Sequence, residues 1–600
     1  MKSSIVLGFA MVLMMLIALP SYPDTASAPG QSQPANESMV AQADKYDPSF
    51  WIFGDADSEK FRLMKDLGFV GVAFWAANRE GDRITYNFDS PTLRQFDWAT
   101  QSQDGPGLTE YAAQAHAAGL KVMANMEGVN PYHWKAGRKH WTPEVIGSVM
   151  TDLHNDGADR WFTECVAGWP SLFSALADTG RKIGMEYQEG DDPSYLYAFD
   201  EETGQQGFTG IYRRGHIVSM YHYLYRRDEV GKDASLAQEG SLAYGFARAW
   251  GMPTALVFTV RHNWGELPEY WEGILKPSIA IRALQFRVDD VMLIGVREEQ
   301  ARKVDVAGTK QWVSGLVAKN AQENRPVLNV VAHLRNGSYA QWRDFACSGD
   351  AITSGAFHAG WNIVASTEPL ADADAYYVYT TGKDEKGTVD LTLGIAKLFA
   401  GEEPVFLQVG SRIPSGGDLT ANWRQALSAS GVNPEAGFGY GDMPTTGLYK
   451  GSPFVYRGLY TQYEVAERPA GTLIPRAAVI GTVSAEGDGV PLIVSSGNKH
   501  LIPANCIRWQ TMGPISDLLA GCGVRASSDV WGIAGEKVTV LLATHDTQLD
   551  MVIPKLAKGT KIRVTQWDKH HQRIYQDTVN YAGSYQRSMK QFDSIVIEAL

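Results

Sequence analysis

The chain of 600 residues lacks several features that would place it in a common class of protein. Its four cysteines, Cys165, Cys347, Cys506 and Cys522, are too few for a disulfide scaffold, although Cys506 and Cys522 are close enough in sequence to pair in an oxidising compartment. Beyond residues 5–19, no stretch approaches the roughly 20 apolar residues of a membrane-spanning helix. Acidic residues outnumber basic ones by 67 to 54, and a net charge of −13 argues against nucleic acid, which requires a basic face.

The motifs of several enzyme classes are also missing from the sequence. Neither HExxH nor a CxxC pair with zinc spacing is present, so we predict no metal site. The absence of G-x-S-x-G weighs against an α/β-hydrolase esterase. The glycine-rich run at 410–417 fits neither nucleotide-binding pattern, G-x-x-x-x-G-K-[ST] or G-x-G-x-x-G, so we predict no cofactor.

The N-terminus has the pattern of a signal peptide. Lys2 precedes the apolar stretch 5–19, and the small residues at 26–28 form a cleavage pattern. We therefore predict a signal peptide at 1–28, followed by a polar linker at 29–46, and a mature protein that is periplasmic or secreted. No cysteine follows the apolar stretch closely enough for a lipoprotein anchor.

Between residues 47 and 320 the sequence alternates short apolar strands with helical segments or long loops. Eight such units predict a closed (β/α)8 barrel, a TIM barrel, in which parallel strands are covered by helices. The sixth strand also fits a helix at 217–225, and helices are predicted at 235–250 and 269–286. The predicted strands are 50–54, 69–75, 120–127, 160–166, 182–188, 216–222, 254–260 and 290–296.

Two further domains are predicted after the barrel. Residues 321–525 carry apolar strands at 327–334, 361–366, 375–379 and 405–409, with helices at 339–357 and 388–399 between them, which predicts a smaller doubly wound, Rossmann-like α/β domain. Residues 526–600 alternate with period two, which predicts a C-terminal antiparallel β-domain. Its predicted strands are 537–544, 560–568, 573–581 and 594–600.

Catalytic groups of a barrel lie at the carboxyl ends of its strands, so the strand assignment predicts a site. Glu127 ends the third strand, Glu164 lies near the end of the fourth and Glu186 closes the fifth. A pair of carboxylates, one as acid and one as nucleophile or base, is what glycosidic cleavage requires. We expect Glu164 to be the general acid, Glu186 its partner and Glu127 the third candidate, while a solvated residue or an arginine partner is the alternative for each.

Other polar and aromatic residues near the strand ends are candidates for substrate binding. Most of the 17 tryptophans lie in the barrel half of the chain, and their faces can stack on sugar rings. Glu189 is expected to be solvated in the acidic loop that follows the fifth strand, and His222, between two tyrosines, also fits a core position. The candidate binding residues are Trp75, Asn125, Trp134, His222, Arg261, His262 and Trp264.

The predicted order of barrel, Rossmann-like domain and small β-domain is similar to that of the family 42 β-galactosidases. This resemblance implies a middle domain of glutamine-amidotransferase type that mediates homo-oligomerisation. It also implies an acid/base after an Asn on the fourth strand and a nucleophile that ends the seventh. Here Thr163 precedes Glu164, and the run Val260-Arg261-His262 ends the seventh strand with no acid before Glu266. The site therefore departs from the pattern of that family.

The sequence favours an exported glycoside hydrolase that acts on a polysaccharide or oligosaccharide through two carboxylates. Two alternatives remain open at this stage. One is a non-catalytic carbohydrate-binding or matrix-assembly protein on a degenerate barrel. The other is a polysaccharide lyase or deacetylase that uses groups such as Tyr221, His222 and Arg261.

Overall fold

The computed structural model describes a large part of the chain after residue 45, and its described residues belong to one compact unit, Gln42–Leu600. Several predicted features lie outside the described residues. They are the signal peptide, nearly all of the linker, the four cysteines, Trp134, Arg261, His262 and Trp264. The described residues are 46–53, 58–102, 107–129, 140–164, 166, 170–190, 216–225, 235–238, 245, 247–248, 251–260, 270–321, 323–333, 355–366, 369–380, 398, 401–409, 440–442, 446–449, 452–455, 464–466, 478–485, 488–496, 498–502 and 530–600.

The first sheet is a closed barrel of eight parallel strands. Its strands are β1 (Ser49–Phe53), β2 (Gly71–Glu80), β5 (Lys121–Met126), β6 (Arg160–Glu164), β7 (Glu186–Gly190), β8 (Ile217–Tyr225), β10 (Thr254–Val260) and β11 (Asp290–Ile294), and β1 pairs with both β2 and β11. Three short strands, β3 (Arg83–Tyr86), β4 (Ala99–Gln101) and β9 (Ser235–Gln238), extend this sheet beside β2 and β8. The predicted barrel is confirmed, and the ambiguous sixth strand is a strand.

Alternate residues of the barrel strands meet in a core inside the barrel, because side chains of a strand point to opposite faces in turn. Gly71 contributes by having no side chain, since a Cβ atom there would clash with the ring of Trp51. The residues of this inner core are Trp51, Phe53, Ala73, Met123, Phe162, Val257, Met292 and Ile294.

Helices pack against the outer face of the barrel strands through apolar stripes. The helix α3 shows why these segments are helical: Pro143 occupies its first position, and the Thr142 hydroxyl accepts a hydrogen bond from the Val145 N–H at 3.3 Å. The described helices are α1 (Phe61–Asp66), α2 (Leu108–Ala117), α3 (Pro143–Asn155), α4 (Pro170–Ile183), α5 (Trp271–Phe286), α6 (Glu298–Val304) and α7 (Val306–Asn320). No helix among the described ranges is long and apolar enough to cross a membrane.

Two sequence predictions about the barrel are wrong in detail. The predicted helix at 235–250 begins instead as strand β9, which pairs antiparallel with β8. The predicted fifth strand at 182–188 starts four residues later, at Glu186, because α4 continues to Ile183 and Gly184 then turns the chain at φ +78°. This shift moves Glu186 from the predicted carboxyl end of the strand to its amino end.

The second sheet has nine strands. Five are parallel in the order β13-β12-β14-β15-β22, the 2-1-3-4-5 order of flavodoxin-like doubly wound folds, and the four predicted strands of this region are all present. The other four continue the sheet on the side of β22 and were not predicted. The strands after the barrel are β12 (Val327–His333), β13 (Asn362–Ser366), β14 (Ala375–Thr380), β15 (Val405–Val409), β16 (Tyr440–Asp442), β17 (Thr446–Tyr449), β18 (Ser452–Val455), β19 (Glu464–Ala466), β20 (Ala478–Ala485), β21 (Asp488–Ser496) and β22 (Lys499–Ile502). Of the predicted helices at 339–357 and 388–399, only 355–357 and 398 are described, and these residues are helical.

The C-terminal residues form the predicted antiparallel β-domain. A five-stranded sheet has the order β23-β24-β29-β26-β27, and β25 pairs with β28. Helix α5 is buried at nearly every position since it lies between the barrel and this sheet, where Gln285 Nε2 donates a hydrogen bond to the Gly532 carbonyl at 3.1 Å. The strands are β23 (Val530–Ile533), β24 (Val538–Ala543), β25 (Thr547–Met551), β26 (Lys561–Trp567), β27 (Arg573–Asn580), β28 (Tyr585–Met589) and β29 (Ser594–Ala599).

Candidate active site

The carboxyl ends of the adjacent strands β5 and β6 bring two of the predicted acids to the same end of the barrel. Glu164 is the last residue of β6, and Glu127 opens a short 3-10 turn directly after β5. The Thr163 hydroxyl donates a hydrogen bond to the Met126 carbonyl at 3.2 Å. The residues immediately before the two glutamates are therefore fastened to each other.

Below this end, four neighbouring strands contribute one layer of paired residues. Trp75 pairs with Asn125, Asn125 with Phe162 and Phe162 with Gln188. Gly190, two residues beyond Gln188, pairs with Glu164 and has no side chain to fill the space at that height. This layer forms the described part of the floor beneath the strand ends.

Asn125 and Glu127 differ from most buried polar residues of the barrel because neither forms a hydrogen bond or ion pair with a described residue. Asn125 is only 4% exposed, and Glu127 is half-buried. The fully buried polar atoms without a partner among the described residues include none of Asn125 or Glu127, so the polar atoms of both side chains reach solvent at this end of the barrel. Both side chains are therefore candidates to bind a ligand.

Trp75 lies at a bulge in β2, where the pairing with β5 shifts between Trp75 and Ala77. Its half-buried ring contacts the ring of Phe53, with centroids 4.7 Å apart and planes at 36°. Bulges re-aim side chains and are frequent at barrel rims beside active sites. The predicted aromatic surface is thus present at the position of Trp75.

Glu186 occupies the opposite end of the barrel from the one predicted. As the first residue of β7 it pairs with Arg160, the first residue of β6. Its carboxylate accepts a hydrogen bond from Arg160 Nε at 2.7 Å and forms an ion pair with Nη2 at 2.6 Å. Lys121 Nζ lies 3.6 Å away. Catalytic groups of barrels come from the carboxyl ends, so this position removes Glu186 from the predicted group of three acids.

Arg160 joins Glu186 to a larger buried network at the amino end. Its Nη1 donates to Gln188 Oε1 at 2.8 Å and to Asp290 Oδ2 at 2.9 Å, and its guanidinium lies 4.0 Å from the ring centre of Trp51. Burial raises the pKa of Asp290, and Arg160 opposes this effect. For Glu186 the alternative of an arginine partner is therefore the one observed, whereas the bonds of Arg160 to Gln188 and Asp290 were not predicted.

A cavity of about 710 Å³ lies at this amino end. Its lining includes Trp51, Arg160, Glu186, His216, Asp289 and Asp290. The acids at this end are paired: Glu186 and Asp290 with Arg160, and Asp289 with Arg248 at 3.7 Å. Each of these three acids of the described cavity lining thus has a cationic partner, which assigns them to the stabilisation of the barrel.

Glu189 is buried, and the expectation that it is solvated is wrong. It belongs to strand β7, is 1% exposed, and accepts hydrogen bonds from the Val166 N–H at 2.7 Å and from the Tyr187 hydroxyl. The error follows from the misplaced strand start, which put Glu189 beyond the end of β7. Glu189 and Tyr187 alternate with Gln188, whose amide bonds Ser219 inside the barrel at 2.9 Å, so they lie on its outer face.

The remaining predicted binding residues are described only in part. His222 pairs with Phe258 and Gln238, and β8 continues to Tyr225, so His222 does not end the sixth strand as expected. Among the described residues no group of three or more His, Cys, Asp and Glu could hold a metal ion.

No family model and no curated protein matches the sequence. A search of solved structures found similar chains at low identity. An α-L-fucosidase, isoenzyme 2 from Paenibacillus thiaminolyticus, is 11% identical over 93% of this chain and 100% of its own, with a TM-score of 0.47. Unliganded α-L-fucosidase AlfC from Lactobacillus casei is 10% identical over 47% of this chain and 98% of its own, with a TM-score of 0.27.

A family 3 β-N-acetylglucosaminidase from Paenibacillus sp. str. FPU-7 is 11% identical over 66% of this chain and 92% of its own, with a TM-score of 0.26. These structural neighbours are glycoside hydrolases. At such identities and TM-scores the matches do not assign an activity, and any functional argument depends on this chain's own residues.

Proposed function

We propose that this protein is a glycoside hydrolase whose catalytic carboxylates are Glu164 and Glu127. The observation that carries the proposal is the hydrogen bond from the Thr163 hydroxyl to the Met126 carbonyl. It joins the residue before Glu164 to the residue before Glu127. The β5–β6 register ends at the pair of Asn125 and Phe162, two residues before Glu127 and Glu164, which supports the proposal that the two acids are neighbours. Glu127 thereby replaces Glu186 as the proposed partner.

The proposed pair fits the retaining form of the reaction. Neighbouring strands lie about 4.7–4.9 Å apart, and retaining glycosidases hold their two carboxyl groups roughly 5–5.5 Å apart. Glu164 would protonate the glycosidic oxygen as the general acid, and Glu127 would attack the anomeric carbon to form a glycosyl-enzyme. Water then releases the sugar with its original anomeric configuration, after Glu164 has taken the proton from that water.

Two neighbouring residues support a sugar as the substrate. Trp75 offers a half-buried aromatic face near the strand ends, and Asn125 offers an amide without a described partner, which can both donate to and accept from a sugar hydroxyl. Gly190 leaves room next to Glu164. A polysaccharide or oligosaccharide, neutral or weakly charged, is the substrate that we propose.

The proposal is tested by reducing-end release from a polysaccharide panel and by cleavage of aryl glycosides. Glu164→Gln and Glu127→Gln are compared with Glu186→Gln, a matched control with the same substitution at the other end of the barrel. We expect both site variants to lose at least about 10³-fold in kcat, and the control to keep its activity per folded molecule. An active wild type whose activity survives in Glu164→Gln and Glu127→Gln would refute the assignment.

Product stereochemistry and nucleophile rescue separate the roles of the two acids. We expect retention of the anomeric configuration by NMR, and we expect azide to restore turnover of an activated aryl glycoside in Glu127→Ala as the inverted glycosyl azide. Inversion in the wild type would contradict the retaining assignment. If the wild type binds a polysaccharide without releasing product, the non-catalytic alternative replaces this proposal.

Export and assembly belong to the same proposal and depend on the sequence. We expect residues 1–28 to be removed and the mature protein to be periplasmic or secreted, which N-terminal sequencing of the protein from its native compartment would test. The likeness to family 42 β-galactosidases leads us to propose a homo-oligomer through the doubly wound domain. Light scattering of the purified protein measures that state directly.

A further inference from the structure

The buried carboxylate of Glu189 bonds the chain where it leaves strand β6. Val166, whose N–H donates to Glu189 Oε1 at 2.7 Å, follows Glu164 by two residues. Val166 is itself fully buried in the core outside the barrel. Glu189 and Val166 thus join the end of β7 to the first described residue after the end of β6.

The position of the Glu189 carboxylate is set by its own strand and by the helix that covers it. Thr163 and Glu189 are paired between β6 and β7, and Glu164 pairs with Gly190 one step further. Tyr187, two residues before Glu189 on the same face, donates its hydroxyl to Glu189 and packs on Phe173 of α4 with ring centroids 5.6 Å apart. The carboxylate is therefore supported from below by a buried ring.

Burying the carboxyl group of Glu189 costs free energy unless its oxygens are hydrogen-bonded. At 1% exposure, Glu189 has exchanged water for the Val166 N–H and the Tyr187 hydroxyl. An apolar side chain would fill the same space without this cost but would leave the Val166 N–H without its acceptor.

We propose that Glu189 is a positioning residue for Glu164. By holding the Val166 N–H, it fixes the turn after β6 and with it the last residue of that strand. On the other side of Glu164, the Thr163 hydroxyl donates a hydrogen bond to the Met126 carbonyl at 3.2 Å. Glu164 therefore lies between Thr163, which is bonded to β5, and Val166, which is bonded to β7. This inference rests on the proposed function for its catalytic part, whereas the anchoring of Val166 does not depend on it.

Hydrogen exchange at the Val166 amide tests the anchoring without any substrate. We expect Glu189→Ala to lower the protection of this amide by about tenfold to hundredfold, and Glu189→Gln, which keeps an acceptor oxygen, to restore most of it. Asp159→Asn is the control, since the Asp159 carboxylate accepts a hydrogen bond from the Val122 N–H at 2.7 Å at the amino ends of β5 and β6. Unchanged protection of Val166 in Glu189→Ala would overturn the anchoring.

Leaving-group dependence tests the effect on Glu164, because a general acid matters most for poor leaving groups. We expect Glu189→Ala to lower kcat about tenfold more for natural glycosides than for activated aryl glycosides, with little change in KM and recovery in Glu189→Gln. A uniform loss across both substrates would show a structural role only and overturn the positioning role. If the wild type cleaves no glycoside, the proposed function and the positioning role fail together, while exchange at Val166 still reports on the anchoring.

Discussion

Both ends of the barrel contain acidic and amide side chains, but these side chains differ in whether they have hydrogen-bond partners within the protein. At the amino end, Arg160 bonds Glu186, Gln188 and Asp290 at once. Around Arg160 the amino end pairs its acids within the protein, although the ring nitrogens of the buried His216 have no described partner. At the carboxyl end the side chains of Asn125 and Glu127 have no described partner either.

This difference follows from the cost of burying charge. A buried arginine without partners costs several kcal/mol, so the amino end is stable only as a complete network. The side chains of Asn125 and Glu127 at the carboxyl end reach solvent instead, so they need no such network. A glutamate in a barrel therefore indicates catalysis only when its end of the strand and its pairing are known.

The largest effect should come from breaking the amino-end network. Arg160→Met leaves the buried Asp290 carboxylate without its cation, and we expect the free energy of unfolding to fall by about 3–5 kcal/mol. Denaturant unfolding measures this loss, and activity per folded molecule should change little. The triple variant with Glu186→Gln and Asp290→Asn should regain most of the lost stability. A large loss of kcat in correctly folded Arg160→Met would break the distinction between the two ends.

A smaller effect of the opposite kind is expected at the carboxyl end. Asn125→Ala removes an amide that has no described partner, so stability should be unchanged or slightly higher. We expect kcat/KM to fall about tenfold to hundredfold, since a hydrogen bond to the substrate is lost. Steady-state kinetics and thermal unfolding of the same preparation separate these effects. Destabilisation with unchanged kinetics would indicate that Asn125 belongs to the structural part of the barrel.

The smallest effect concerns acid stability at the amino end. Burial lowers the pKa of His216 to about 3, and both of its ring nitrogens lack a hydrogen bond among the described residues. Between about pH 6.5 and pH 3 the unfolded chain binds the proton that the folded state excludes, so stability falls as the pH falls through this window. Between pH 7.5 and pH 5.5 we expect the free energy of unfolding of His216→Leu to fall by about 1.4 kcal/mol less than that of the wild type.

Unfolding curves at several pH values measure this difference between His216→Leu and the wild type. At pH 7.5 we expect the variant to be at least as stable as the wild type, because two unsatisfied nitrogens are removed. Parallel pH profiles for the two proteins would contradict a buried neutral histidine at this position.

The strand pattern of the barrel could be predicted because apolar runs and helix periodicity are local properties. All eight barrel strands, the four predicted strands of the second sheet and the four predicted C-terminal strands are present. The strands between 440 and 502, together with Val530–Ile533, Thr547–Met551 and Tyr585–Met589, were missed. Several of these are short, and strand pairing rather than local sequence determines whether such segments form strands.

The positions of the candidate acids along their strands were predicted correctly only where the strand boundary was right. Glu164 and Glu127 lie at the carboxyl ends of their strands, as the alternation of β6 and β5 indicated. Glu186 was misplaced because the helix continues to Ile183 and only Gly184 and Met185 separate it from the strand, and the effect of this glycine on the boundary is not visible in the apolar pattern. That shift exchanged the positions of Glu186 and Glu189 relative to the strand end.

The sequence alone determined the architecture of this protein, since hydrophobic periodicity and turn residues act over a few neighbours. Tertiary structure alone decided which carboxylates are free. Whether Glu186 is paired depends on Arg160, 26 residues earlier, and the network of Arg160 depends on Asp290, 130 residues later. Such pairings arise only when the barrel closes, because closure brings distant strands within hydrogen-bonding distance and excludes the water that would otherwise solvate each charge.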